Sequence, residues 1–255
     1  MGPATTRITG QRGAATAEAW GPGAEWVIAT LPEQLGARDD VDGFTIDHPL
    51  VRETHNAYPG LRISRSGLVL DVLVPAILEQ KVTGTESCRS WRELLYRFGD
   101  PAPGPTPGHM RVPPSAATWA RIPSWEWHRA GVDSKRSSTI IRCARAAARL
   151  EEAVAMDRVE ALRRLRAIPG VGAWTAAETA QRAFGDADAV SVGDFHIPAL
   201  VGWALASRPV DDDGMLELLA PYAPHRHRVV RLIELSGFRK PRFAPRFAPR
   251  DYRTL

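Results

Sequence analysis

From Leu68 onward the apolar positions of this chain recur at helical spacing. Leu70, Val74, Ile77, Leu78 and Val82 fall three or four residues apart and predict a helix over Leu68–Thr83, which Pro75 either kinks or opens. Trp91, Leu94, Leu95 and Phe98 share one face of a second helix over Ser87–Phe98. Gly99–Pro114, with six prolines and three glycines, must then be a loop. Ser115–Arg121 and an aromatic segment at Trp125 and Trp127 follow, and the Ala/Arg-rich stretch Ser134–Met156 favours helix. Val159–Ala167 and Ala173–Phe184 read as two helices joined by the turn Ile168-Pro169-Gly170-Val171-Gly172. A last helical block covers Ile197–Ala206, Asp213–Ala220 and His225–Ser236.

Upstream the pattern is weaker. Glu18–Ser66 mixes short apolar runs, Trp26-Val27-Ile28 and Phe44-Thr45-Ile46, with Pro, Gly and Asp turn signals, and suits short strands as well as irregular helices. Residues 1–17 contain no acid, and beyond Met1 their only large apolar residue is Ile8; too little surface is available to offset chain entropy, so a disordered leader is expected. The fold class is therefore all-α with little or no sheet. The chain divides into a leader (1–17), an N-terminal segment of open structure (18–66), a helical core (67–240) and a tail (241–255).

Charge sharpens this picture at one end. The net charge is +4, but His225–Leu255 holds nine Arg or Lys against Glu234 and Asp251, so the remainder of the chain sums to −3. A basic end on a near-neutral body suits a polyanion such as DNA, and equally a set of solvated arginines. The tail repeats Pro-Arg-Phe-Ala from Pro241 and reads as an extended strap, against DNA or against the protein itself. Cys88 and Cys143 are too few for a four-thiolate cluster or a disulfide scaffold, which points to a reducing compartment. No apolar run approaches the length of a membrane span, so a cytoplasmic location with no membrane partner is expected.

The sharpest feature is the turn at 168–172. Two glycines one residue apart permit left-handed backbone and let the main chain approach a ligand closely, and the free amides of the helix that begins there can bind a DNA phosphate without reading sequence. A bare Pro-Gly-x-Gly also serves as an ordinary tight turn between packed helices. Here it is flanked by apolar Leu162, Leu165, Ile168 and Val171 and followed by small Ala176, the pattern of a helix-hairpin-helix. Downstream, Asp194 follows the β-branched run Val190-Ser191-Val192 and precedes a helix. An acid there is a good N-cap, and it also stands where a carboxylate would face a cleft beside the hairpin; the two roles are compatible.

These residues resemble the helix-hairpin-helix DNA glycosylases, which run from a Gly-rich hairpin to a catalytic Asp about twenty residues on; here Gly172 and Asp194 are 22 apart. The likeness extends from about Leu68 to Gly237 and includes Ile77-Leu78-Glu79-Gln80 and Gly131-Val132-Asp133-Ser134-Lys135-Arg136. It implies two helical subdomains with a DNA-binding cleft between them. Lyase-competent members carry a nucleophilic lysine two residues after the second hairpin glycine, where this chain has Trp174. The iron-sulfur branch needs four cysteines. What remains resembles the monofunctional bacterial 3-methyladenine DNA glycosylase II, which also places tryptophan there.

The resemblance implies a monomer that binds damaged duplex DNA, flips a damaged, alkylated base and hydrolyses its N-glycosidic bond in base excision repair, with Asp194 as the catalytic carboxylate. Trp174 and Glu178 would form the base pocket, and Gly170, Val171, Gly172, Thr175, His196, Gln80 and Lys81 would contact DNA. No cofactor is expected, although a structural cation at the hairpin is allowed. Several positions keep a second reading. Gln80 and Lys81 fall where the superfamily fills the gap left by the flipped nucleotide, but the alkylbase branch has an apolar wedge in place of Lys81, which otherwise is a solvated helix residue. Glu178 replaces an aromatic side chain and either meets the base, acts as a second acid, or pairs with Arg182 at i,i+4. His196 contacts phosphate or belongs to a cap or core, and Trp125, Trp127, Trp203 and Tyr222 are assigned to the core. The competing functions are a non-catalytic helix-hairpin-helix DNA-binding protein and a bifunctional glycosylase/AP lyase.

Overall fold

The computed structural model describes residues 2–11, 13–241, 249 and 251; the expected basic strap lies almost wholly outside them. The expected disordered leader is corrected. Residues Thr5–Gln11 (β1) and Ala14–Trp20 (β2) form an antiparallel pair in register from Thr5 opposite Trp20 to Gln11 opposite Ala14. Counting large apolar residues missed it because the ladder satisfies its own backbone. Cross-strand Arg7 and Glu18 pair, the Arg7 guanidinium lies 5.7 Å from the Trp20 ring centroid, and β2 packs on the next helix. Apart from an isolated bridge between Pro101 and Arg111, the remaining regular elements among the described residues are helical, and from Leu68 onward they follow the apolar periodicity.

The undecided segment resolves into two helices, Ala24–Gln34 (α1) and Pro49–Ala57 (α2). Next come Val69–Leu78 (α3) and Gly84–Phe98 (α4), the latter opening earlier than its apolar face suggested because Thr83 and Glu86 form a reciprocal capping box. Pro75 sits inside α3 without ending it. The start of that helix is held instead by Glu151, whose carboxylate accepts from the Val69 and Leu70 amides at 2.9 Å each. Short helices Ala116–Trp119 (α5) and Ser124–Arg129 (α6) follow the proline-rich loop. Ser134–Arg145 (α7), capped by Asp133, and Ala147–Glu151 (α8) replace the single helix expected over 134–156. Arg158–Arg166 (α9) and Ala173–Thr179 (α10, continued by a wider turn to Phe184) flank the hairpin. Ile197–Ala206 (α11), Asp212–Leu219 (α12) and Arg226–Leu235 (α13) complete the chain.

Two cores organise these elements. In the first, α3 is the central rod, with seven of its ten residues buried, and α4 to α10 surround it. Trp119 and Trp127 stack there at 5.8 Å, both fully buried. The second core unites Val51 of α2 with Val201, Met215, Leu219, Val229 and Ile233 of α11 to α13. The stretch from Phe44 to Leu61 thus belongs to the second subdomain. The attachment is ionic as well as apolar: Arg228 and Asp39, with side chains 2% and 1% exposed, form a paired fork whose Asp39 Oδ2 also accepts from the Ile63 amide at 2.9 Å. A buried pair of this kind persists only when its remaining polar atoms are satisfied. Here Arg228 also donates to the Asp40 carbonyl at 3.2 Å and to His225 Nδ1 at 3.3 Å.

Candidate active site

The hairpin is built as its pattern predicted. Leu165 and Val171 are buried in the first core, and Leu162 and Ile168 pack against it. Three contacts fix the turn from below: Arg142 donates to the Pro169 carbonyl (3.2 Å), Gln80 Nε2 donates to the Gly170 carbonyl (3.1 Å), and Thr139 lies under Gly170. The two glycines turn out to do different jobs. Gly170 takes φ +100°, and a β-carbon on it would lie 2.1 Å from Thr139 Oγ1, so both conformation and space demand glycine. Gly172 is extended, with φ −88° and ψ −173°, and its α-carbon faces open space. The exposed Gly172 starts α10, whose first turn receives no side-chain cap. A main chain free of side chains, ahead of uncapped amides, is the arrangement that lets a phosphate approach.

Asp194 stands at the start of α11 with its two oxygens divided between two tasks. Oδ1 accepts from the His196 and Ile197 amides, at 2.6 and 2.9 Å, and so holds the helix start. Oδ2 accepts from Trp174 Nε1 at 2.9 Å, a bond that ties the carboxylate of the second subdomain to the hairpin helix of the first. The sequence pointed to both a cap and a cleft carboxylate, and the geometry unites them. The half-buried Trp174 and Asp194 line a cleft of about 460 Å³ between the two subdomains.

Glu178 also lines this cleft but is 8% exposed and fully engaged. Its Oε2 accepts from Arg182 at 2.5 Å, and its Oε1 takes a very short hydrogen bond from the Ser191 hydroxyl. Ser191 in turn accepts from Gln181 Nε2 at 2.9 Å, and the same amide donates to the Ala189 carbonyl at 2.8 Å. Of the readings open for Glu178, the Arg182 pair is present, and both carboxylate oxygens are engaged at the wall of the cleft.

Three of the expected DNA contacts, Thr175, Gln80 and Val171, are turned to the hairpin's own support. Thr175 is buried and its hydroxyl accepts from Gln80 Nε2 at 2.7 Å, so the two side chains brace the hairpin against the α3 end and do not project from it. Val171 is likewise buried and contributes position only. Lys81 is exposed in the turn between α3 and α4 at φ +56°, a conformation that costs a non-glycine residue energy and collects at functional sites. His196 is exposed beside Phe195, ring centroids 5.0 Å apart, and its carbonyl accepts from Lys240 at 3.1 Å. Trp127 and Tyr222 are core residues as expected, whereas Trp125 is 65% exposed; none of these lines the cleft.

The cleft also holds groups that sequence reading left without a role: Glu79, His227, Arg231 and Glu234. Glu79 follows α3, and its carboxyl is raised above the usual range by desolvation and by the negative Glu178 and Asp194, against the pull of Arg182. His227 is held down to about 3 by burial and by the Arg231, Arg182 and Arg228 guanidiniums, so its imidazole is neutral near pH 7. Arg231 and Glu234 pair with each other. A periodic pattern marks such residues only as the polar positions of helices. Among the described residues no cluster of side chains suits a metal ion, and no helix is long and apolar enough to cross a membrane.

No family model matches the chain, and no curated protein matches its sequence. Its structure nonetheless has clear neighbours. It superposes on a 3-methyladenine DNA glycosylase from Archaeoglobus fulgidus with a TM-score of 0.74 at 17% identity, covering 92% of this chain and 83% of that one. An 8-oxoguanine glycosylase/lyase from Clostridium acetobutylicum, solved with double-stranded DNA, gives 0.70 at 11% identity over 90% and 80%. A DNA-3-methyladenine glycosidase from Bacillus halodurans gives 0.54 at 17% identity over 80% and 88%. The hairpin, the cleft between two helical cores and the carboxylate at the head of α11 therefore sit on the all-α fold of the helix-hairpin-helix DNA glycosylases.

Proposed function

We propose that the chain is a monofunctional DNA glycosylase that flips a damaged, alkylated base from the duplex and hydrolyses its N-glycosidic bond in base excision repair, as a cytoplasmic monomer without a cofactor. One observation carries the reading: Asp194 is fixed by an indole N–H and two helix amides at the edge of a cleft that adjoins a phosphate-anchoring hairpin. Cleavage of the glycosidic bond builds positive charge on the sugar. A carboxylate held in place before the reaction stabilises that charge without reorganising, and it orients or deprotonates the attacking water. Trp174 occupies the position of the lyase nucleophile, which makes water the nucleophile.

DNA binding follows from the hairpin. The turn at Gly170 and Gly172 and the head of α10 take a phosphate of the damaged strand, His196 a neighbouring one, and Lys81 meets the gap or backbone left by the flipped nucleotide. Unstacking costs a few kcal/mol and less at damaged pairs, which gives the first selection for lesions.

The test is a panel of duplexes, each with one defined lesion (7-methylguanine, hypoxanthine, uracil, 8-oxoguanine), scored for free base. The expected result is released base with no strand scission and no covalent DNA complex under borohydride, and loss of release but not of DNA binding in Asp194→Asn. If no duplex loses a base while binding persists, the chain is a binding module. A trapped covalent complex would instead make it a lyase.

A further inference from the structure

Four carboxylates line the cleft, and three are already taken. Asp194 accepts three hydrogen bonds, Glu178 is held by Arg182 and Ser191, and Glu234 pairs with Arg231. The Glu79 amide bonds back to the Pro75 carbonyl at 3.1 Å, but its carboxylate has neither a hydrogen bond nor an ion pair among the described residues. It caps the C-terminal end of α3, on the opposite core from Asp194, so the two carboxylates approach the cleft from different subdomains. The charged groups acting on Glu79 are Arg182, Glu178 and Asp194. His227 offers no proton, since its imidazole is neutral.

Resting on the glycosylase reading, we infer that Glu79 is the general acid that protonates the departing base, and that the cleft consequently releases uncharged damaged bases as well as cationic alkylated ones. A cationic base leaves as a neutral molecule and needs no proton. An uncharged base leaves as an anion unless a proton reaches it. In the proposed step, the C1′–N bond breaks with its electron pair going to the base nitrogen, and the Glu79 proton moves to the base. Water adds its oxygen to C1′ and gives its proton to Asp194. Free base and an abasic sugar result, and the two carboxyl groups exchange the proton back through solvent. Partial desolvation, with the negative Glu178 and Asp194 and against the pull of Arg182, raises the Glu79 carboxyl above its ordinary value, the direction that this role requires.

The experiment compares wild type and Glu79→Gln on duplexes carrying hypoxanthine or 7-methylguanine, with single-turnover release measured from pH 5 to 9 and thermal unfolding as a fold control. Wild type is expected to release both bases, with hypoxanthine release falling as pH rises through the Glu79 titration and 7-methylguanine release free of that limb. Glu79→Gln should lower hypoxanthine release by roughly 10²- to 10⁴-fold, remove the limb, and change 7-methylguanine release by less than about threefold. Equal loss on both bases, no loss on either, or a wild type that releases 7-methylguanine but not hypoxanthine would overturn the assignment while leaving the glycosylase reading intact. A wild type that releases no base from any duplex overturns both.

Discussion

Asp194 is described better by its donors than by its position in the chain. Its Oδ1 is consumed by the amides that open α11, and its Oδ2 by the Trp174 indole, so the side chain has no rotamer freedom left to lose when substrate binds. The tryptophan is thus a positioning group as well as a wall of the cleft. Replacing it with phenylalanine keeps an aromatic wall but removes the N–H, and a hydrogen bond to a charged group is worth about 1.5–3 kcal/mol. Trp174→Phe should therefore lower single-turnover base release by roughly ten- to a hundredfold, with DNA affinity nearly unchanged. A mutant whose release rate equals wild type would show that the indole bond does not set the carboxylate. Glu178 teaches the converse. Its i,i+4 spacing to Arg182 was visible in the sequence, but the Ser191 hydroxyl that takes its other oxygen lies thirteen residues away across a turn, and no local pattern announces it.

At the scale of the element, the hairpin was the most readable part of the chain. Its apolar positions bury as their spacing says, because the same residues that form a helix face must also close the turn over the core. What the spacing did not distinguish was the work of the two glycines. Gly170→Ala forces a left-handed backbone on alanine and drives its β-carbon into Thr139, an overpacked contact worth about 1–3 kcal/mol. The variant should unfold at lower denaturant and bind duplex DNA more weakly. Gly172→Ala, facing open space in an extended conformation, should retain stability within about 0.5 kcal/mol and lose DNA affinity alone. Denaturant midpoints and binding isotherms at one salt concentration separate the two. If both alanines destabilise equally, the division of labour is wrong.

The same scale explains the N-terminal misreading. A strand pair that closes its own ladder and anchors one tryptophan needs few large apolar residues, so composition understated its order.

The whole molecule brings its own chemistry into the cleft. His227 belongs to α13 in the second core, while Arg182 follows α10 of the first, and their proximity exists only in the assembled protein. The unfolded imidazole titrates near 6.5 and the folded one near 3. Between those values the unfolded chain takes up a proton that the folded state refuses. The contribution of neutral His227 is fully present above pH 6.5 and is lost progressively as the pH falls toward 3. His227→Leu should thus flatten the loss of stability between pH 7 and pH 5, measured as the change in urea midpoint. An identical slope in wild type and mutant would refute this.

The sequence by itself determined the all-helical class, the hairpin, and Asp194 as the carboxylate that follows it, since each is written in spacing that a helix or tight turn reads out locally. It also marked Glu178 and Lys81 as departures from the familiar alkylbase pattern. Only the tertiary structure decided which side chains meet. It spent Gln80 on Thr175, closed Glu178 with Arg182 and Ser191, joined Trp174 to Asp194 and left the Glu79 carboxylate without a partner among the described residues of the cleft. The physical reason is one of range: helix and turn propensities act over about four residues, whereas hydrogen bonds and charges inside a cleft couple groups that only the packing of two separate cores brings together.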